Sequence, residues 1–92
     1  MDNIDEVLEV ESDAFLMQVS KNVMRIREEK RMSKLDVSRL MGFYVPDHYS
    51  RMELSSNGKH FNLKHIYKLS KIFDVKISEL LDVDDHIILP NQ

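Results

Sequence analysis

Three neighbouring side chains on one predicted helix have the chemistry to recognise a ligand. A helix through Asp47, His48 and Arg51 turns Tyr49 and Met52, which are three residues apart, toward the protein interior. The first three side chains then face solvent or a ligand. Arginine carries a fork of N–H donors, a carboxylate only accepts hydrogen bonds, and a neutral imidazole does both. Together they can contact a surface that carries donors and acceptors.

The segments 33–42 and 46–53 are predicted to be two short amphipathic helices joined by a tight turn. A Ser-x-x-Asp capping box opens the first helix, and Gly42 closes it in the position after the last helical residue. Pro46 has no N–H and a fixed φ, so it suits the first position of the second helix. This layout is that of a helix-turn-helix, whose second helix usually lies in the DNA major groove.

Metal binding and catalysis find little support in the sequence. The four histidines, His48, His60, His65 and His86, are 12, 5 and 21 residues apart, and no cysteine accompanies them. None forms the i, i+4 pair that a helical zinc site favours. No nucleophile motif or glycine-rich phosphate loop is present. We therefore predict no metal, no cofactor, no catalytic residue and no enzymatic activity.

Charge is strongly segregated along the 92 residues, which are enough for one small domain. Residues 1–13 carry six acids and no base, and residues 77–92 carry four acids and no base. All 13 lysines and arginines lie in residues 14–76 against six acids, so a net charge of −3 conceals a basic middle. A basic middle is typical of phosphate contact, although basic residues can also simply solvate helix surfaces.

Composition also indicates where the protein resides. The absence of cysteine fits a reducing cytosol. No apolar run approaches the about 20 residues of a membrane span, and the acidic start differs from a signal peptide, which begins basic. We expect a cytoplasmic protein with no membrane partner.

Apolar periodicity predicts an all-α bundle of five short helices. The expected units are an acidic N-terminal arm at 1–13, the helical domain at 14–82 and a C-terminal tail at 83–92. Asp13 and Asn62 are predicted caps for the helices that start at residues 14 and 63. The apolar positions expected to face inward are Phe15, Val19, Val23, Ile26, Val37, Leu40, Met41, Leu63, Ile66, Leu69, Phe73, Ile77, Leu80 and Leu81.

Four sequence motifs follow one another at 23–33 (VMRIREEKRMS), 37–42 (VSRLMG), 50–53 (SRME) and 63–81 (LKHIYKLSKIFDVKISELL). In this order and spacing they resemble the phage repressor and Cro-type (XRE-like) helix-turn-helix family. The resemblance covers residues 19–81. It implies a compact five-helix bundle of the lambda repressor-like DNA-binding type.

The resemblance also implies roles for individual residues. Arg27 and Glu53 occupy the positions of a structural ion pair that ties the second helix of the motif to the first helix of the bundle. Asp47, His48 and Arg51 occupy base-reading positions, where Arg51 can fork onto guanine O6 and N7 and Asp47 can accept from cytosine N4. The implied phosphate contacts are Ser33, Lys34, Tyr44, Asn57, Lys59 and His60.

Two functional hypotheses follow. The first is a transcriptional regulator that binds double-stranded DNA as a homodimer on a pseudo-palindromic operator, whether it is a phage repressor, a restriction–modification controller or an antitoxin. The expected dimer interface comprises Ile77, Leu80, Leu81, Ile87, Ile88 and Leu89. The second is a protein-interaction module that binds a toxin or another regulator with the same bundle, and the acidic chain ends and Asp47 favour it.

Overall fold

Five α-helices succeed one another through residues 2–83, the part of the chain that the computed structural model describes. The helices are α1 (Asp2–Glu29), α2 (Lys34–Met41), α3 (Pro46–Leu54), α4 (Leu63–Phe73) and α5 (Ile77–Leu80), with a 3₁₀ turn at Ser56–Gly58 after α3. These residues contain no strand, so the predicted all-α class with five helices is confirmed for them. None of the described helices is long and apolar enough to cross a membrane.

Helix α1 begins at Asp2, and the prediction that it starts at Ala14 with Asp13 as its cap is wrong. Residues 2–13 contain neither glycine nor proline, and acidic side chains near a helix N-terminus interact favourably with the helix dipole. The segment predicted as an arm is therefore the first part of one 28-residue helix. It leaves Val10 exposed to 68% of its surface.

Both ends of α2 follow the prediction. The Ser33 hydroxyl accepts from the Asp36 amide at 3.0 Å, and the Asp36 carboxylate accepts from the Ser33 amide at 3.4 Å. Gly42 closes the helix in the left-handed conformation at φ 85°. From α4, Lys68 Nζ donates to the Met41 carbonyl at 3.2 Å, which satisfies an acceptor at the C-terminal end of α2.

One face of each helix supplies the core. Helix α4 buries Ile66, Leu69 and Phe73 at the predicted spacing. The other buried apolar side chains are Val19, Val23, Ile26, Val37, Met41, Tyr49, Phe61 and Leu80. Asn62 caps α4 as predicted, by accepting from the His65 amide at 2.8 Å.

Three apolar positions predicted to face inward are exposed instead. Leu40, Leu63 and Ile77 expose 61%, 78% and 42% of their surface. Leu63 and Ile77 are the first residues of α4 and α5, and the buried residues of these helices come later in each helix. In α2 the buried positions are Val37, Ser38 and Met41, so Leu40 lies outside the buried face of the helix.

Helix α5 is attached to α1 by a buried asparagine. Asn22 Nδ2 donates to the Leu80 carbonyl at 3.0 Å and to the Asp82 carbonyl at 2.6 Å. Gln18 Nε2 donates to Asn22 Oδ1 at 3.1 Å and so fixes the orientation of the amide. Leu80 is fully buried within its own chain, which removes it from the predicted dimer interface. The predicted interface residues Ile87, Ile88 and Leu89 lie outside the described residues.

Candidate nucleic-acid interface

A short link places α3 next to α2. The Gly42 amide donates to the Arg39 carbonyl at 3.0 Å, and the Phe43 amide donates to the Ser38 carbonyl at 3.0 Å. These bonds end α2 and turn the chain. Val45 is extended, Pro46 occupies the first turn of α3, and the four residues 42–45 separate the two helices.

The structure brings Arg27 of α1 and Glu53 of α3 together in a bidentate pair. Arg27 Nε lies 2.8 Å from Glu53 Oε2, and Arg27 Nη2 lies 3.1 Å from Glu53 Oε1. The side chain of Glu53 is fully buried and that of Arg27 is 9% exposed. Arg27 Nη1 also donates to the Met32 carbonyl at 2.8 Å, so the guanidinium also holds the segment that follows α1.

Tyr49 completes this buried network from within α3. Its hydroxyl donates to Glu53 Oε2 at 2.6 Å. Burial, reinforced by this hydrogen bond to a carboxylate, raises the pKa of Tyr49 far above its ordinary value. The hydrogen bond to Glu53 raises the pKa of Arg27 against the opposing effect of burial. The network is therefore a fixed arrangement of a phenol, a carboxylate and a guanidinium.

Aromatic rings support the inner face of α3. Tyr49 contacts Phe61 with ring centroids 5.8 Å apart, and His65 meets Phe61 and Phe43 edge-on at 6.2 and 5.5 Å. His65 Nδ1 accepts from the Asn62 amide at 3.1 Å, so the neutral ring is part of the α4 cap. Burial, with smaller contributions from Lys68 and Lys64, lowers the pKa of His65.

The outer face of α3 carries the three predicted base-reading residues, and all three are exposed. Two of them pair with each other, since Arg51 Nη2 lies 2.9 Å from Asp47 Oδ2. His48 packs edge-on against Phe43 of the link, with ring centroids 6.3 Å apart. The arginine head and the imidazole are thus presented side by side on a helix whose opposite face is anchored.

A shallow recess of about 80 Å³ joins this outer face to the following loop. It is lined by His48, Arg51, Met52 and Lys59. Lys59, predicted as a phosphate contact, therefore lies beside two predicted base-reading residues. The convergence of two cations and an imidazole suits an anionic oxygen or an acceptor on a base edge.

The remaining predicted phosphate contacts surround this face at several places. Tyr44 in the link is fully exposed, and Asn57 is exposed in the left-handed conformation at φ 52°. The Ser33 hydroxyl accepts in the α2 cap, and Lys34 next to it is half-buried. His60 Nδ1 is buried and has no hydrogen-bond partner among the described atoms. Of the predicted set, the recess includes only Lys59.

Several contacts that hold α3 or its side chains in place were not predicted from the sequence. Ser20 Oγ donates to the Met52 carbonyl at 2.8 Å, and Ser55 Oγ donates to Ser20 Oγ at 3.1 Å, which ties the C-terminal end of α3 to α1. No local pattern marks this long-range contact. The pairing of Asp47 with Arg51 was readable from the i, i+4 spacing of opposite charges.

No family model matches the chain, and no curated protein or solved structure matches it. Within the described residues, no three histidine or acidic side chains are grouped so that they could hold a metal ion. The functional interpretation therefore depends on what α2, α3 and their surroundings present to solvent.

Proposed function

We propose that this protein is a sequence-specific DNA-binding transcriptional regulator of the helix-turn-helix type, which acts as a cytoplasmic homodimer on a pseudo-palindromic operator. In this proposal α3 is the recognition helix and α2 crosses the DNA backbone. The proposal includes no catalytic step and no cofactor.

One observation carries the proposal: α3 is anchored on one face and polar and open on the other. Tyr49 and Glu53 fix the inner face through Arg27, while Asp47, His48 and Arg51 remain exposed on the outer face. A reading helix needs both properties, because base contacts require side chains held in a reproducible position. An exposed polar face on a loosely held helix would not provide that position.

The paired state of Arg51 has a consequence for reading DNA. Its bond to Asp47 holds the guanidinium on the outer face but also neutralises it. A guanine that presents O6 and N7 would compete for the guanidinium fork, and a neighbouring cytosine could donate to the carboxylate. We infer that Asp47 orients Arg51 and rejects sequences that offer the pair only acceptors.

Homodimerisation is part of the proposal because a single small domain reads few base pairs. Two copies related by a twofold axis would place their α3 helices in successive major grooves about 34 Å apart. The operator would then consist of two half-sites with inverted sequence.

The direct test is selection of bound duplexes from a random pool, followed by binding of the selected duplex at increasing salt. The proposal predicts an inverted repeat, and a log–log plot whose slope is about −0.9 for each phosphate neutralised. Failure to bind any duplex at low salt would reject it.

A second function is favoured by the acidic first half of α1. Residues 1–13 carry six acids, and within them Ile4 and Val10 are exposed to 50% and 68% of their surface. An exposed helix with apolar and acidic positions can bind another protein, such as a toxin or a regulator. The same salt titration discriminates the two functions, because this alternative predicts no duplex binding.

A further inference from the structure

An apolar groove lies along the first half of α1, away from the α3 surface. It has a volume of about 360 Å³ and is lined by Leu8, Glu11, Ser12, Phe15, Leu16 and Val83. Most of the lining is apolar, although the groove is open to solvent. It does not include any residue of the proposed DNA surface.

The groove extends the face of α1 that already holds the end of α5. Leu8, Phe15 and Asn22 are spaced seven residues apart, or two helical turns, and so lie on one face. Asn22 binds the chain at the Leu80 and Asp82 carbonyls, and Val83 already lines the groove. The chain therefore leaves α5 along α1 toward the N-terminal end of that helix.

The sequence that follows Val83 suits this groove. Residues 87–89 are Ile-Ile-Leu, the only run of three apolar residues in the last ten positions. An extended chain can span about 3.3 Å per residue, so the four residues from Val83 to Ile87 can cover up to about 13 Å. The seven helical residues from Phe15 to Leu8 cover about 10 Å at about 1.5 Å per residue. The chain after Val83 is therefore long enough for Ile87 to reach Leu8.

We propose that the C-terminal segment 87–89 binds the α1 groove of its own chain. The attachment is apolar, because neither residues 1–13 nor residues 77–92 contain a lysine or an arginine that could attract the other segment. Burial of Ile87 and Leu89 against Leu8 and Phe15 would extend the hydrophobic core along α1. This inference is independent of DNA binding and holds whichever partner α3 recognises.

Disulfide trapping tests the proposal directly, because the natural chain contains no cysteine. The full chain carrying Leu8→Cys and Ile87→Cys is oxidised under mild conditions and compared with a control carrying Val10→Cys and Ile87→Cys. Val10 lies on a different side of α1 and is exposed. We expect an intramolecular disulfide that forms at least about tenfold faster for the Leu8 pair than for the control, as a high effective concentration requires.

Two outcomes of the trapping experiment would overturn the proposal. Equal rates for the two pairs would mean that the segment does not occupy the groove. A predominantly intermolecular disulfide for the Leu8 pair would mean that a second copy supplies the segment. Mass spectrometry of the oxidised protein under non-reducing conditions separates these products.

Thermal melting provides a second measurement that needs no cysteine. Truncation after Val83 and Leu8→Ser should each lower Tm by about 4–8 °C, the change that about 1 kcal/mol produces in a domain of this size. Their combination should lower Tm by no more than the larger single change, because both remove the same contact. Val10→Ser serves as the control and should add to the truncation. Full additivity of Leu8→Ser with the truncation would contradict the proposal.

Discussion

The two faces of α3 each carry an arginine–carboxylate pair of nearly equal length, but in opposite surroundings. Arg27 and Glu53 approach to 2.8 Å with side chains that are 9% and 0% exposed. Arg51 and Asp47 approach to 2.9 Å with side chains that are 48% and 59% exposed. The two pairs therefore share their chemistry and differ in their exposure to solvent.

Exposure to solvent matters because it sets both the cost of separating the charges and their freedom to find other partners. In the buried pair, removal of one charge leaves the other without hydration. In the exposed pair, water and salt ions compete with each charge for its partner. The pair therefore contributes little to stability, and the arginine can exchange its partner. The inner pair fixes α3, and under the proposed function the outer pair is free to exchange its partner for a base.

The largest expected effect comes from breaking the inner pair. Glu53→Gln removes the charge that neutralises Arg27 and should lower the free energy of unfolding by about 3–5 kcal/mol. Chemical denaturation of the wild-type and variant proteins measures it. Asp47→Asn makes the same chemical change on the outer face and is the control. Equal losses for the two variants would show that the faces do not differ.

Loss of the phenol should have a smaller effect on the same face. Tyr49→Phe keeps the ring against Phe61 but removes the bond to Glu53, at a cost of about 1.5–3 kcal/mol for a hydrogen bond to a charged group. Tyr44→Phe removes a hydroxyl from a fully exposed residue and should change stability by less than about 0.5 kcal/mol. If the two changes were equal, the hydroxyl of Tyr49 would not support the buried carboxylate.

The stability that His65 contributes through the α4 cap should depend on pH. The lowered pKa of His65 means that the folded protein favours the neutral ring, whose Nδ1 accepts in the α4 cap. Stability from this group is present above the unfolded pKa of about 6.5 and is lost as the pH falls from there toward the folded pKa. The loss should not exceed the about 0.5–2 kcal/mol of a helix cap.

His65→Gln isolates this contribution, since glutamine at the same cap position keeps an acceptor and does not titrate. The variant should lose less Tm than the wild-type protein between about pH 7.5 and about pH 5.5, on either side of the unfolded pKa. The other three histidines are common to both proteins, so they cancel in the difference. Identical pH profiles would exclude His65 as the titrating group.

The smallest effect on stability is expected on the outer face. Arg51→Ala breaks the exposed i, i+4 pair with Asp47 and should cost about 0.2–1 kcal/mol at low salt. Raising the salt concentration should reduce that cost further, because exposed charges are screened. Chemical denaturation at two salt concentrations provides the measurement. A cost of the size expected for Glu53→Gln would assign Arg51 a structural role.

Local sequence signals predicted the elements around α3 well. The capping box at Ser33, the left-handed Gly42, the proline that opens α3 and the Asn62 cap are each decided within a few residues. Such features are readable because the hydrogen bonds that define them join near neighbours in sequence. The placement of Asp47, His48 and Arg51 on the exposed side followed from helical periodicity alone.

Long-range packing accounts for what the sequence did not predict. Whether Leu40 or Ser38 of α2 faces the core depends on which neighbour crosses it, and periodicity alone places both near the boundary. The hydrogen bonds of Asn22 to residues 80 and 82 span the chain and have no local pattern. The start of α1 is not predicted because the apolar spacing in residues 2–13 is irregular, although no glycine or proline interrupts them.

Under the proposed function the outer face of α3 reads DNA sequence, and a matched pair of arginine variants tests this role. Arg51→Ala removes an exposed arginine from α3, and Arg25→Ala removes one from α1 that forms a similarly exposed i, i+4 pair with Glu29 at 3.2 Å. Both variants lose one positive charge, so any general electrostatic effect on binding is common to them.

Fluorescence anisotropy then gives Kd for the selected duplex and for a scrambled duplex at one salt concentration. We expect Arg51→Ala to reduce the preference for the selected duplex by about 1–3 kcal/mol, the value of a bidentate base contact. Arg25→Ala should weaken both duplexes slightly and leave the preference unchanged. An unchanged preference in Arg51→Ala, or an equal loss in both variants, would exclude Arg51 as a base-reading residue.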